Sequence, residues 1–260
     1  MVTSPKTPTK KRTPRIPSAE IAVLSDIHSN LQALQAVLAE CKRRKINRFF
    51  CLGDIVGYGA NPMECLKIIR SLKCPTVIGN HDYYVATGRV DFDVSPLARV
   101  GLQHSEQMLT KNAKKWLIEL PQVVHTDGVT LVHASLAEPL EWHYIMDLEE
   151  AVACLNVCTT PICFYGHTHL QKVYVKNGGP KPKMIEENKF QFDRDGACLV
   201  NPGSVGQPRG EDPRAHFAIL HPESLTVEFL RIEYDAQAAA AAILDAGLPP
   251  FLAQRLLIGR

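Results

Sequence analysis

The stretch IAVLSDIHSNLQALQAVLAECKRRK, residues 21–45, decides how the rest of the chain is read. It opens on a short apolar run of β type, IAVLSD, and passes through a polar HSN. Leu31, Leu34, Val37, Leu38 and Cys41 then recur on one helical face, and Ser29 with Gln32 matches a capping box. A second strand, RFFCLGD (48–54), leads into the Gly-rich IVGYGANP. A helix starting at Pro62 and running to about Leu72 is expected next, with proline in its first turn. A third strand, PTVIGN (75–80), completes a β-α-β-α-β alternation, the signature of parallel strands joined by crossover helices.

Beyond residue 95 the character changes. A long helical region covers 95–119. QVVHTDGVTLVHAS is two alternating runs around Asp127-Gly128, a hairpin signal. A helix over 147–158 and the strand PICFYG (161–166) follow. Further β-type runs fall near 171–176, 190–193, 197–200, 215–220 and 225–233, with KNGGPKPK (176–183) as a surface loop. Segments 236–246 and 251–258 read as closing helices. The expectation is a mixed α/β fold with two packed sheets and helices outside, forming one domain over 19–260.

Bulk properties limit the choices. Apolar residues at 45% and charged residues at 22% describe an ordinary globular chain, and no apolar run is long enough for a membrane helix. The net charge of +2 hides an asymmetry, because residues 1–18 hold five basic side chains and no acid. Without them 24 basic residues face 27 acidic ones, which does not suit a broad nucleic-acid surface. The first 18 residues, rich in Pro, Thr and Lys, read as a disordered tail with neither a secretory core nor an amphipathic face. Eight cysteines without a CxxC pair, several inside apolar runs, read as small buried hydrophobes in a reducing cytoplasm.

The residues that end the strands carry the chemistry. The first strand ends in Asp26-Ile27-His28, the second in Gly53-Asp54, and the third in Gly79-Asn80-His81-Asp82. The hairpin ends in His133, and the strand after it in Gly166-His167-Thr168-His169. Ligands of open α/β sheets sit beyond the carboxyl ends of strands, so these groups converge on one edge. In extended backbone, i and i+2 share a side, which would pair Asp26 with His28 and His167 with His169. Carboxylate, imidazole and amide oxygen together suit borderline divalent ions such as manganese, iron, zinc or nickel. The set exceeds one tetrahedral site, so the economical arrangement is two ions roughly 3.5–4 Å apart with one Asp between them. Such a site stays positive, attracts an anion and acidifies a bound water, which points to hydrolysis of phosphorus esters. Each motif alone has an ordinary structural explanation. His104, His125, His216 and His221 are read as ordinary histidines. Five such motifs in strict order are another matter.

The ordered set DIHSN, GDIVGYG, GNHD, LVHAS and GHTH resembles the calcineurin-like metallophosphoesterase family over residues 21–169. NPGSVGQPRGEDPRAHFAIL (201–220) extends the likeness toward the small bacterial and archaeal phosphodiesterase branch. The resemblance implies a four-layer αββα sandwich and two metal ions. It assigns Asp26, His28, Asp54 and His169 to one ion. Asp54 (bridging), Asn80, His133 and His167 go to the other. It makes His81 the histidine that protonates the leaving oxygen or stabilises the transition state during attack by a metal-bridging hydroxide, with Asp82 orienting it.

Substrate preference leans toward diesters. A monoester's extra charge calls for arginines beside the metals, and GNHDYY has none. Arg209 and Arg214 are the basic candidates, and AEPLEWHYI (137–145) offers Trp142 and His143 as a lid or stacking wall. The expected partner is a small phosphate ester, not a nucleic-acid polymer or a membrane. Phosphomonoesterase, protein phosphatase and a catalytically silent scaffold of the same fold, like the retromer subunit, stand as alternatives. Oligomeric state leaves no mark on the sequence.

Overall fold

The computed structural model describes residues 19–91, 94–176 and 182–260. The tail expected over 1–18 and most of the KNGGPKPK loop lie outside them. The first half contains β1 (Ile21–Leu24), α1 (Leu31–Arg43), β2 (Arg48–Cys51), α2 (Pro62–Leu72), α3 (Asn80–Thr87), α4 (Pro96–Met108) and α5 (Lys111–Ile118). The hairpin β3 (Val123–Thr126) and β4 (Val129–Val132) follows, then α6 (Leu148–Val157) and β5 (Ile162–Phe164). Next come β6 (Gln171–Lys176), β7 (Lys183–Ile185), β8 (Lys189–Gln191), β9 (Ala197–Pro202), β10 (Ala215–His221) and β11 (Thr226–Ile232). The chain closes on α7 (Ala236–Asp245) and α8 (Pro250–Ile258).

These strands make two mixed sheets, ordered β2-β1-β10-β11-β8 and β3-β4-β5-β9-β6-β7. Within them β1–β2, β4–β5 and β5–β9 are parallel. Strand β1 has no apolar alternation because both its faces are covered. Ile21 and Val23 join Phe50, Leu131, Phe164 and Val200 in the layer between the sheets. Ala22 and Leu24 face outward, among Leu34 and Val37 of α1 and Leu66 and Ile69 of α2. On the far side α6 buries Ala151, Cys154 and Leu155 over Cys163 and Leu199. The architecture is therefore the αββα sandwich expected. The cysteines are all free, and six of the eight are buried.

Local chemistry explains most boundaries. Pro62 opens α2, and Asp127 and Gly128, at φ +53° and +73°, make the two-residue hairpin turn. Four details differ from the sequence reading. The cap of α1 is Asn30, whose side chain accepts from Ala33 N at 3.1 Å. Ser29 is left-handed at φ +55°, which removes it from a capping geometry. The helix over 95–119 is two, because Thr110 caps α5 by accepting from Ala113 N. The third strand shrinks to one bridge, Cys51 to Thr76, since Gly79 already caps α3. A strand absent from the sequence reading, β7, pairs with β6.

The closing pair α7 and α8 buries Ile243, Leu252 and Leu256, and Tyr58 and Leu97 pack against that cluster. This fastens α8 beside the GDIVGYG loop.

Asn30 also donates to Gly206 O at 2.9 Å. Asn30→Ala should therefore lower the unfolding free energy by about 1–2 kcal/mol. Ser29 Oγ is buried without a partner, so Ser29→Ala should move it far less. Urea midpoints at matched m-values distinguish the two, and equal losses would return the cap to Ser29.

Candidate metal centre

The carboxyl ends of β1, β2, β4 and β5, with the first turn of α3, bring seven side chains to one buried place. Asp26, His28, Asp54, Asn80, His133, His167 and His169 are each at most 7% exposed. They form two groups. The ligand atoms of Asp26, His28 and His169 lie within 4.8 Å of one another, as do those of Asp54, His133 and His167. Asn80 Oδ1 joins the second group, 3.1 Å from His133 Nε2. Asp54 Oδ2 lies 3.6 Å from His28 Nε2 and 3.4 Å from His133 Nε2, between the two groups.

The backbone does this in an unexpected way. Asp26, His28, Asp54, His167 and His169 all have positive φ, from 47° to 66°. Asp26 and His28 do share one group, 3.9 Å apart, but not through the extended backbone expected. His167 and His169 part company and serve different groups. Left-handed non-glycine residues concentrated in one place are the mark of a conformation imposed by tertiary structure. Glycine makes the approach close enough. A Cβ on Gly79 would sit 2.1 Å from Asp54 Oδ1, and one on Gly166 2.1 Å from Ser25 Oγ. Hence Gly precedes Asn80 and His167 in the sequence.

Hydrogen bonds fix the imidazoles. The Nδ1 atoms of His28, His133 and His169 donate to the carbonyls of Val56 (3.1 Å), Leu52 (2.6 Å) and Gln207 (2.6 Å). A carbonyl can only accept, so the proton is on Nδ1 and the Nε2 lone pair faces the centre. His28 Nε2 meets His169 Nε2 at 3.1 Å, and His169 Nε2 lies 3.3 Å from Asp26 Oδ1. His167 Nε2 is buried with no partner. Acceptors facing acceptors in a buried place attract a proton or a cation, and this donor set fits a divalent one.

Electrostatics agrees. Burial would raise the Asp26 carboxyl, yet His169 beside it holds it well below the usual range. Burial would strip His133 of its extra proton, but Asp54 outweighs it and pushes the group up to about 9. Burial and then the His133 charge bring His167 down to about 3. Charge that these groups attract would be supplied by a metal with release of the proton.

His81 lies beside the ligands without being held by a hydrogen bond at Nδ1. Its ring rests on Gly57, where a Cβ would come within 2.2 Å of Nδ1, and packs 4.7 Å from Tyr58 and 4.8 Å from His28. Burial takes it down to about 4, so the ring is neutral at pH 7. The expected orienting bond from Asp82 is absent. Asp82 instead accepts from the backbone N–H groups of Ile55 (3.0 Å), Val56 (3.2 Å) and Gly79 (3.2 Å), tying two ligand loops together.

The NPGSVGQ segment is a brace. Asn201 Nδ2 donates to Gly166 O and Thr168 Oγ1, and Ser204 Oγ donates to Asp26 O. A cleft of about 770 Å³ opens over the centre, lined by Asn80, His81 and His167 and by Arg209, Trp142 and His143. Trp142 is 8% exposed and walls His133 at 6.0 Å, so it supports a ligand more than it offers a stacking face. His143 is exposed beside Glu138. Arg214 points elsewhere, bound to Asp212. His104, His125 and His221 have local partners outside the centre, and His216 lies 3.6 Å from Asp212. Tyr144, in the AEPLEWHYI segment read as a lid or stacking wall, stacks on His167 at 4.1 Å. Tyr58, inside a quoted motif, and Arg255, on α8 with no motif around it, escaped the sequence reading.

The comparisons with known proteins agree with this geometry. The model of the calcineurin-like phosphoesterase superfamily domain matches residues 20–225. The chain is 38% identical over 246 residues to the uncharacterized protein MJ0912 of Methanocaldococcus jannaschii, covering 92% of this chain and 98% of that one. Its structure superposes on the metallophosphoesterase from Sphaerobacter thermophilus with a TM-score of 0.82 at 36% identity, over 94% and 100% of the two chains. The symmetrical bis(5'-nucleosyl)-tetraphosphatase of Haemophilus influenzae is 27% identical over 111 residues, 42% of this chain and 38% of that enzyme.

Gly79→Ala should displace Asp54 and leave the chain folded with a clearly lower bound-metal content by elemental analysis. Full metal loading in that variant would mean the close approach is dispensable.

Proposed function

The chain belongs to the calcineurin-like phosphoesterase superfamily, and we propose that it is a working member of it, a metal-dependent hydrolase of small phosphate esters that favours phosphodiesters. The observation that carries this is the completeness of the buried constellation, since a silent scaffold has no need to keep seven ligand-type side chains and His81 together. In this reading Asp26, His28 and His169 would hold one divalent ion and Asn80, His133 and His167 a second, with Asp54 available to both. Manganese, iron, zinc and nickel all suit such ligands. Ions there would supply Lewis acidity toward a phosphoryl oxygen and make water acidic enough to react near neutral pH.

The chain's own residues do the rest. The carbonyls of Val56, Leu52 and Gln207 hold three imidazoles in one tautomer. His81 faces the cleft as a neutral ring, able to donate an N–H hydrogen bond to the leaving oxygen and so stabilise the charge that develops on it. Asp82 keeps the loops of Asp54 and Asn80 in register and thereby places His81 on Gly57. No helix among the described residues is long and apolar enough to cross a membrane, which is consistent with a small dissolved substrate and with the cytoplasmic setting we assign. Diesters are favoured because GNHDYY places no arginine directly beside Asn80 and His81.

The test is hydrolysis of bis-para-nitrophenyl phosphate and para-nitrophenyl phosphate by manganese-loaded protein. Turnover of the diester should exceed that of the monoester and vanish on chelation. His81→Ala should lower kcat by about 10²- to 10⁴-fold with metal content unchanged. Protein that binds no metal and cleaves neither ester would be a scaffold.

A further inference from the structure

We infer that Arg209 and Arg255 form an anion subsite one step beyond the metal centre, which takes a second phosphate group of the substrate. The substrate class is then an oligophosphate ester, one whose scissile phosphorus has a phosphate neighbour. This rests on the hydrolase reading above and narrows it.

Both arginines line the cleft that also contains Asn80, His81 and His167. Arg209 follows the brace loop, two residues after the Gln207 carbonyl that fixes His169. Its Nε is buried with no hydrogen-bond partner, and no carboxylate pairs with it among the described residues. Arg255 stands on α8 with its guanidinium 5.6 Å from the Tyr58 ring centroid, and its Nε donates to a main-chain oxygen of Arg260. No Asp or Glu side chain pairs with it among the described residues. Burial, and then the charge of Arg209, disfavour protonated Arg255.

Two partly buried guanidinium groups that face one cleft with no acidic side chain paired to either are electrostatically costly. Elsewhere Arg43 and Arg44 pair with Glu40, Arg48 with Asp127, Arg214 with Asp212 and Arg260 with Glu211. Of the acids that line the cleft, Glu141 is exposed and pairs with neither arginine, and the other three are engaged already. Asp91 accepts from the Tyr84 hydroxyl, Glu138 faces His143, and Glu150 caps α6. A phosphate, which planar guanidinium groups bind bidentately, resolves the imbalance.

Position says which phosphate. Tyr58 lies between, its ring 4.8 Å from His28 and 4.7 Å from His81, with Arg255 on the ring as well. The guanidinium is thus separated from the ligand set by an aromatic ring. That is too far to share the phosphorus under attack and suits the next group along a phosphate chain. The helix that brings Arg255 also falls outside residues 20–225, the part matched by the superfamily domain.

The experiment compares ATP with bis-para-nitrophenyl phosphate on manganese-loaded protein, for the natural sequence, Arg209→Gln and Arg255→Gln. The ratio of kcat/KM for ATP to that for the diester should fall about 10- to 100-fold in each variant. Arg255→Lys should recover part of it. In parallel, calorimetric titration of metal-free protein with methylene-bridged ATP should show binding that both glutamine variants lose, which reads the subsite without any turnover. Circular dichroism melts establish that each variant is folded, and a glutamine variant that fails to fold is replaced by its lysine counterpart. An unchanged ratio together with unchanged titration overturns the subsite. Loss of turnover on both substrates in the natural protein, with arginine-dependent titration intact, overturns the hydrolase reading and leaves the subsite standing.

Discussion

Three bonds from imidazole Nδ1 to backbone carbonyl govern the rest of this molecule. They turn the lone pairs of His28, His133 and His169 toward two buried carboxylates, and they do so from two loops, the one after β2 and the one after β9. A carbonyl cannot be repositioned like a side chain. Each histidine is therefore as well placed as the loop that faces it. The left-handed ligands, the glycines that precede them and the bonds from Asp82 to three backbone N–H groups all serve to hold those loops at contact distance.

The sandwich is what makes such contact achievable. Asp26, His28 and Asp54 leave one sheet, and His133, His167 and His169 leave the other. The apolar layer of Val23, Phe50, Leu131, Phe164 and Val200 fixes the relative position of the two sheets and so of the two ligand sets. The brace segment after β9 then crosses from one side to the other, with Asn201 on the second sheet's turn and Ser204 on the first's. Core packing and site geometry are in this way one problem.

Much of this was legible in the sequence because the ligands are written as residue types that have few other reasons to follow apolar runs in that order. The sandwich, the helix from Pro62 to Leu72 and the Asp127-Gly128 hairpin were readable from periodicity and turn chemistry. The left-handed backbone at Asp26 and His169 was not, because local preference opposes it and only tertiary contacts enforce it. For the same reason Asp82 looked like a partner for its neighbour His81, while its carboxylate is consumed by backbone 26 and 27 residues away. Arg255 left no signal at all. It is one cation on a closing helix, and its place beside Tyr58 is a consequence of how α7 and α8 dock.

The pairing of His28 with His169 spans 141 positions, and that of Asn30 with Gly206 spans 176. Closing loops of that size is slow compared with forming helices such as α1 or the β3–β4 hairpin. During synthesis the first strand ends emerge long before their partners and cannot hold an ion on their own. The centre is therefore completed only after both sheets exist, because His169 and the Gln207 carbonyl that fixes it come late in the chain. Metal held by both groups would then be acquired late in the life of the chain and would report that the fold is finished.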